Sequence, residues 1–221
     1  MSAEPRADRE RVPRPRRGAG ARAPKTRADR RADTRELIRA AAWELFTTRG
    51  YDATTTQAIA QRAGVATGTV FVHASDKADL LFLVMYDRLA AAVEEGLASL
   101  PDGPLLDRLL HVFGRLFRMY GEHPEVAAAF VRNLPGAKGP NAQRSSTVTF
   151  GFLHRLSLLV AEAQAKGEVA RDVDPLAAAQ NIFGLYFMAL IAWLNGYATL
   201  ETALMPMLRD SLALQIRGLR A

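Results

Sequence analysis

Apolar residues recur at helical spacing from residue 33 onward, and no convincing run of alternating apolar and polar residues predicts a strand. A capping box at Asp33–Glu36 is expected to begin the first helix, and Gly50 to end it. A short second helix, capped by Thr55 or Thr56, is predicted to reach Ala63. A third is predicted from about Thr67 to His73. The buried face of the first helix is expected to comprise Leu37, Ile38, Ala41, Ala42, Leu45 and Phe46.

A long fourth helix is predicted from a cap at Ser75 or Asp76 to about Leu100. Pro124 and Pro175 stand where the first turn of a helix is expected, and Pro206 should kink the last helix. Residues 135–140 are rich in Pro and Gly and are expected to form a loop. The further helices are predicted at 104–120, 124–134, 143–166, 175–196 and 200–219. The predicted fold class is all-α, with a small three-helix N-terminal domain and a larger helical domain.

The formal net charge of +6 is concentrated at the N-terminus. Residues 1–32 contain eleven basic and four acidic side chains, and the remaining chain carries a net charge of −1. Because this arm has four prolines and few large apolar side chains, we expect it to be disordered. A basic arm beside a folded domain is typical of phosphate binding, whereas the alternative is a solvated tail.

The composition argues against an enzyme. The chain has no cysteine, which excludes disulfides and cysteine-ligated metals. Its four histidines do not have the spacing of metal ligands, and no serine elbow or phosphate-binding loop is present. We therefore expect no cofactor and no metal. The N-terminus lacks a secretory signal, and the apolar run Ile182–Leu194 is too short for a membrane span, so a cytoplasmic protein without a membrane partner is predicted.

Residues 55–74 have the pattern of a helix-turn-helix motif. Such a motif needs a small residue where its helices touch, a residue tolerant of positive φ in the turn, and apolar residues beneath the second helix. Ala60, Gly64 and Val70 meet these needs in order. Ile59 and Val65 complete a small core, so the segment is expected to bind DNA.

Residues 33–85 resemble the TetR family of bacterial transcriptional regulators. The similarity is carried by Phe46, Gly50-Tyr51, Thr54-Thr55, Ile59-Ala60, Ala63-Gly64-Val65, Gly68-Thr69-Val70-Phe71, Lys77 and Leu80-Leu81. The resemblance implies a dimeric repressor with a helix-turn-helix DNA-binding domain at 33–78. It also implies a divergent ligand-binding and dimerisation domain at 79–221. The family usually has Tyr where Phe71 stands, and its hydroxyl often contacts phosphate.

The candidate DNA-binding residues surround the predicted third helix. Thr67, Thr69 and His73 are expected on one exposed side, where threonine can contact base edges. Gly68 would let the helix approach the duplex. The start of the second helix and Lys77 suit phosphates. The complete set is Thr55, Thr56, Gln57, Thr67, Gly68, Thr69, Phe71, His73 and Lys77.

Aromatic residues in the second domain suggest an apolar ligand pocket with a few polar groups, although for any single one of them core packing is the more common explanation. The candidates are Phe113, Phe117, Tyr120, His154, Asn181 and Tyr186. The domain's near-neutral charge favours a hydrophobic inducer over a phosphorylated one. The last two helices carry more apolar surface than one domain can cover, which predicts a homodimer on an inverted-repeat operator. The alternative function is a ligand-independent architectural or partner-recruiting DNA-binding protein.

Overall fold

The computed structural model describes residues 26–220, so residues 1–25 of the arm predicted at 1–32 lie outside them. Three helices form the N-terminal domain: α1 (Arg27–Arg49), α2 (Thr56–Ala63) and α3 (Thr67–Phe71). Their common core contains Phe46, Ile59, Ala60 and Val70. Gly64 makes the turn between α2 and α3 with φ +69°, a conformation that favours glycine. The helix-turn-helix arrangement predicted for residues 55–74 is confirmed.

Helix α1 begins earlier than predicted. Thr26 accepts a hydrogen bond from the backbone N–H of Asp29, and the Asp29 carboxylate accepts one from the N–H of Thr26 at 2.8 Å. This reciprocal cap is followed by Arg and Ala residues that favour helix, so the predicted start at residue 33 and the arm boundary at residue 32 are wrong. Leu37 is 54% exposed, whereas the other predicted core residues of α1 are buried.

The larger domain begins with α4 (Lys77–Ala98), capped by Asp76, and continues with α5 (Leu105–Gly121) and α6 (Pro124–Arg132). Helices α7 (Pro140–Ala165) and α8 (Pro175–Leu194) pack against each other, and α7 also packs along α4. Among the described residues no strand occurs, so the predicted all-α fold is confirmed. Both proline starts are confirmed at α6 and α8. Pro140 opens α7 instead of ending the preceding loop.

The last helical segment is interrupted as predicted. It consists of α9 (Leu200–Thr202), a π-helical stretch (Ala203–Leu208) and α10 (Arg209–Gly218). Met205, directly before Pro206, has non-helical backbone angles. Proline cannot donate the helical hydrogen bond at this point, which explains the kink.

Helix α8 is also long and apolar enough to cross a membrane by length and composition, with a mean hydropathy of 1.5. The prediction from the run Ile182–Leu194 therefore underestimated the length of this apolar helix. Core helices of soluble proteins meet the same criterion. Helix α8 packs on α7, and Ala178, Ile182 and Tyr186 are among its buried residues. Its exposed apolar side chains include Leu176 and Met188.

The two domains meet along α1, α4 and α6. The Trp43 ring of α1 lies edge-on to His123, with centroids 4.9 Å apart, and the Arg88 guanidinium of α4 covers the Trp43 ring at 3.6 Å. Arg132 of α6 pairs with Asp52 beyond α1 at 3.1 Å. These contacts place α4 in both domains, so its tilt and the position of the helix-turn-helix motif depend on each other.

Candidate DNA interface and ligand cavity

Helix α3 presents the side chains expected of a reading helix. Thr67 and Gly68 are exposed and Thr69 is half-buried, while Val70 fixes the opposite face in the core. Phe71 is 51% exposed, although it is a large apolar side chain. Alanine and threonine methyls and phenyl rings can contact the thymine methyl in the major groove, so this exposed ring suits DNA better than water.

The start of α2 is arranged as an anion-binding helix terminus. The Thr55 hydroxyl accepts a hydrogen bond from the N–H of Ala58 at 3.1 Å and caps the helix. Gln57 is exposed beside it, and Thr56 is half-buried. The remaining free N–H groups of the first turn favour a phosphate, in keeping with the predicted role of these three residues.

Lys77 has an internal role that the sequence did not reveal. Its ammonium donates to the carbonyl oxygens of Tyr51 and Asp52 at 3.1 and 3.3 Å. It also lies over the Tyr51 ring, 4.5 Å from the centroid. The half-buried lysine thus ties the start of α4 to the turn after α1. Its contact with a phosphate stays a prediction.

His73 does not lie on the exposed side of the reading helix, so that expectation is wrong. Helix α3 ends at Phe71, and the following turn folds His73 inward until it is only 8% exposed. Desolvation lowers the pKa of its imidazole, and the nearby cations Arg31 and Arg35 lower it further. The ring is therefore held neutral between the two domains, where a charged imidazolium would be unfavourable.

A buried polar junction joins the end of the helix-turn-helix motif to α7. Asn141, in the first turn of α7, donates from Nδ2 to the carbonyl oxygen of His73 at 2.9 Å and to Asp79 Oδ2 at 3.0 Å. Its Oδ1 accepts a hydrogen bond from Arg35 of α1 at 2.9 Å. The Asn141 side chain therefore contacts α1, the end of the recognition motif and α4 at once.

Asp79 completes this junction from α4. Its fully buried carboxylate accepts hydrogen bonds from the backbone N–H groups of Ser75, Asn141 and Ala142, each at 3.0 Å. Two of these donors are free N–H groups of the first turn of α7, where a carboxylate also favours the helix dipole. A Cβ atom at Gly139 would lie 2.5 Å from the Asp79 carboxyl carbon, so glycine permits this close approach. We call this set the Asp79–Asn141 junction.

A cavity of about 260 Å³ lies in the larger domain between α4, α5, α6, α7 and α8. Its lining is mainly aliphatic and aromatic, and the lining residues that the structure describes include no charged side chain. They are Phe82, Leu89, Val93, Leu116, Tyr120, Phe130, Leu134, Ala137, Ala142, Ser145, Ser146, Val148, Thr149, Phe150, Phe152, Phe183, Tyr186, Phe187 and Leu190. Ala137, Ser146 and Phe150 are exposed, so they mark the mouth of the cavity beside the start of α7.

Of the six predicted ligand residues, Tyr120 and Tyr186 line the cavity. Burial raises the pKa of both phenols. Phe113 and Phe117 lie behind the wall, where Phe113 stacks on Tyr186 with centroids 4.6 Å apart. His154 and Asn181 are exposed and outside the lining, so their prediction as cavity residues is wrong. Helical spacing indicated the apolar face of each helix, but not which side chains on that face line the cavity.

The wall of the cavity that carries hydroxyl groups was not predicted from the sequence. Ser145, Ser146 and Thr149 of α7 line it, together with Phe82 of α4 and Phe130 of α6. A concentration of Ser and Thr inside an otherwise apolar helix was the available signal. Residues 143–149 read Gln-Arg-Ser-Ser-Thr-Val-Thr.

Comparison with known proteins identifies the N-terminal domain. Residues 38–84 match the family model for bacterial regulatory proteins of the tetR family. The fatty acid metabolism regulator protein of Bacillus subtilis is 23% identical over 69% of this chain and 79% of its own length. The transcriptional repressor KstR of Mycolicibacterium smegmatis is 29% identical over 68% and 71%.

A solved structure extends the similarity to the larger domain. FadR of Thermus thermophilus, a TetR-family repressor in complex with lauroyl-CoA, superposes with a TM-score of 0.59 and 26% identity. The superposition covers 84% of this chain and 92% of that one. With the helix-turn-helix motif, helix α3 and the second helical domain all in place, the N-terminal domain is a DNA-binding domain of the TetR family, and the chain is similar to TetR-family transcriptional regulators over most of its length.

Proposed function

We propose that the protein is a homodimeric repressor that leaves an inverted-repeat operator when the apolar chain of an acyl thioester enters the cavity. One observation carries the proposal: the wall of the cavity and the support of the reading helix are the same turn of α7. Ala142 lines the cavity, and its backbone N–H, like that of Asn141, is bound by Asp79. A ligand that shifts this turn must disturb the contact to His73.

The lining suits an uncharged, elongated molecule. Aromatic and aliphatic walls favour an alkyl chain, and burying a charged group there without a partner would be costly. A charged headgroup must therefore stay outside the mouth. Residues 133–150, which border the mouth, contain Lys138 and Arg144 and no acidic residue. This local positive charge suits the phosphates of a coenzyme A headgroup, in contrast to the sequence-based expectation against phosphorylated ligands.

The ligand of the Thermus relative supports this class of molecule, because lauroyl-CoA combines a twelve-carbon acyl chain with a polyanionic headgroup. The ligand can change operator affinity only by binding the two conformations with different affinity. Typical coupling free energies of about 1–3 kcal/mol correspond to about 5- to 150-fold weaker DNA binding.

Dimerisation accounts for the exposed apolar surface of α8 and α10. Met188 of α8 and Leu214 of α10 are 65% and 63% exposed, and Leu176 is exposed on the same pair of elements. Two copies related by a two-fold axis would bury these faces as a four-helix bundle. The same axis would set two α3 helices on successive major grooves, which requires an inverted repeat.

The test is a DNA-binding titration on inverted repeats from the upstream region of the gene, with and without lauroyl-CoA. We expect lauroyl-CoA to weaken operator binding and free coenzyme A to have no effect. Thr149→Phe should fill the cavity and remove the response. Thr147→Phe, on the exposed side of the same helix, is the matched control and should retain it.

Two results would oppose the proposal. If Thr149→Phe released DNA as readily as the wild type, the cavity would not be the effector site. If no acyl thioester changed operator binding, the result would favour the alternative function, a ligand-independent architectural DNA-binding protein.

A further inference from the structure

Ser145 carries a buried hydroxyl without a partner in the wall of the cavity. The residue is 3% exposed, and among the described residues its Oγ is one of two buried side-chain polar atoms without a hydrogen bond. The other, Arg115 Nε, lies outside this cavity. Most buried polar groups in proteins are satisfied, so an orphaned hydroxyl that faces a cavity indicates a ligand atom.

The neighbouring hydroxyls of α7 behave differently. Ser146 donates to the carbonyl of Ala142 at 3.1 Å, Thr147 to that of Gln143 at 3.2 Å, and Thr149 to that of Ser145 at 3.4 Å. Each therefore has its partner within the helix, as is common for Ser and Thr in helices. Ser145 makes no such bond to the carbonyl of Asn141, one turn earlier.

The position of Ser145 suits the junction between a chain and its headgroup. It directly precedes Ser146, which is exposed at the mouth, but is itself enclosed. When an acyl chain fills the cavity and its headgroup remains outside, the carbonyl between them must lie just inside the mouth. A carbonyl oxygen accepts hydrogen bonds and can satisfy a hydroxyl donor.

We propose that Ser145 Oγ donates a hydrogen bond to the carbonyl oxygen of the ligand, so that the cavity selects acyl thioesters and esters over alkyl chains of the same length. This inference rests on the proposed function, which it sharpens by assigning the polar contact. The hydroxyl lies one helical turn from Asn141. Carbonyl binding therefore acts on the turn that holds the Asp79–Asn141 junction.

The test compares two probes that differ only in the carbonyl group. Lauroyl-CoA is a thioester, and S-dodecyl-CoA is the thioether without the carbonyl. We expect the wild type to bind the thioester about two- to twelvefold more tightly, the range of one neutral hydrogen bond. Fluorescence of Trp193, whose ring lies 5.8 Å from that of Phe117, reports binding in full-length protein.

Ser145→Ala should bind the two probes with equal affinity. Its affinity for the thioester should fall, and its affinity for the thioether should stay at the wild-type value. Ser146→Ala is the matched control, because it removes a lining hydroxyl that is already satisfied, and it should keep the preference. Ser145→Ala should also melt at or above the wild-type temperature, because it removes an unsatisfied buried group. An equal loss of affinity for both probes would show that Ser145 contributes only packing, and would overturn the proposed hydrogen bond to the ligand carbonyl.

A second pair, methyl dodecanoate and dodecyl methyl ether, separates the two proposals because neither molecule carries a nucleotide. If Ser145 discriminates this pair while lauroyl-CoA fails to bind, the carbonyl contact stands and the coenzyme A assignment falls. If neither pair binds, the cavity is not a ligand site and both proposals are wrong.

Discussion

Asp79 and Asn141, 62 residues apart in the chain, are joined by two hydrogen bonds of 3.0 Å. The carboxylate of Asp79 binds both the backbone N–H and the side-chain amide of Asn141, and both residues are fully buried. Buried bonds to a charged group are strong, and losing one partner leaves the other unsatisfied. These hydrogen bonds hold the start of α7 against α4. The bond from Asn141 to the carbonyl of His73 also holds it against the end of the recognition helix α3.

Asn141→Ala should uncouple the cavity from DNA. We expect the free energy of unfolding to fall by about 1–3 kcal/mol, because the Asp79 carboxylate and the carbonyl of His73 each lose a donor. The ligand should still bind, but its effect on operator affinity should shrink. Urea denaturation and DNA titrations with ligand measure the two effects. Asn133→Ala, which removes only a bond to its own helix, is the control. An undiminished ligand response in Asn141→Ala would contradict this coupling.

Thr67→Ala and Thr69→Ala should change sequence preference. Each threonine is expected to read a particular base, so its loss should cost about 1–3 kcal/mol on the correct operator and less on mismatched ones. Binding to a set of operators with single-base changes measures this. Uniform weakening on every sequence would place both residues on the DNA backbone instead.

Lys77→Ala should weaken DNA binding without changing sequence preference. The substitution removes the donor to the carbonyls of Tyr51 and Asp52, which should cost about 1–2 kcal/mol of stability in this half-buried setting. If the ammonium also neutralises a phosphate, the slope of log affinity against log salt should fall by about 1. Thermal melting and salt titrations on several DNA sequences measure both. A change in base preference would mean that α3 docks differently.

Stability should fall as the pH drops below about 6.5, the usual pKa of histidine. Burial lowers the pKa of His73 in the folded protein, so the unfolded chain takes up the proton first. The stabilisation from neutral His73 is therefore present above the unfolded pKa and is lost as the pH falls toward the folded one. His73→Gln should reduce this dependence between pH 7.5 and 5 in urea denaturation. An unchanged pH dependence in this variant would contradict the prediction.

Met188→Glu and Leu214→Glu should separate the dimer into monomers at micromolar concentration. Each places a charge in the apolar faces of α8 and α10 that we assign to the two-fold seam. Light scattering measures the mass, and operator affinity should drop with it. Leu37→Glu, at a similarly exposed apolar position on α1, should remain a dimer. A wild-type monomer would remove the assignment altogether.

The sequence by itself determined the fold class, most helix bounds and the helix-turn-helix motif. These depend on local features: apolar residues at helical spacing, caps such as Thr55, prolines in first turns, and Gly64 in the turn. The start of α1 was missed because two capping boxes compete within eight residues, and the earlier one extends the helix by about two turns.

Only the tertiary structure decided which side chains meet. His73 is polar and follows a short helix, and nothing local indicates that the start of α7 will contact its backbone. Asp79 looks like an ordinary first-turn acid, yet it binds a second helix 62 residues away. The cavity arises where α4, α5, α6, α7 and α8 leave space between them, so its lining depends on the relative rotation of these helices. Local periodicity does not contain information on this rotation, because it defines the apolar face of each helix but not the helix against which that face packs.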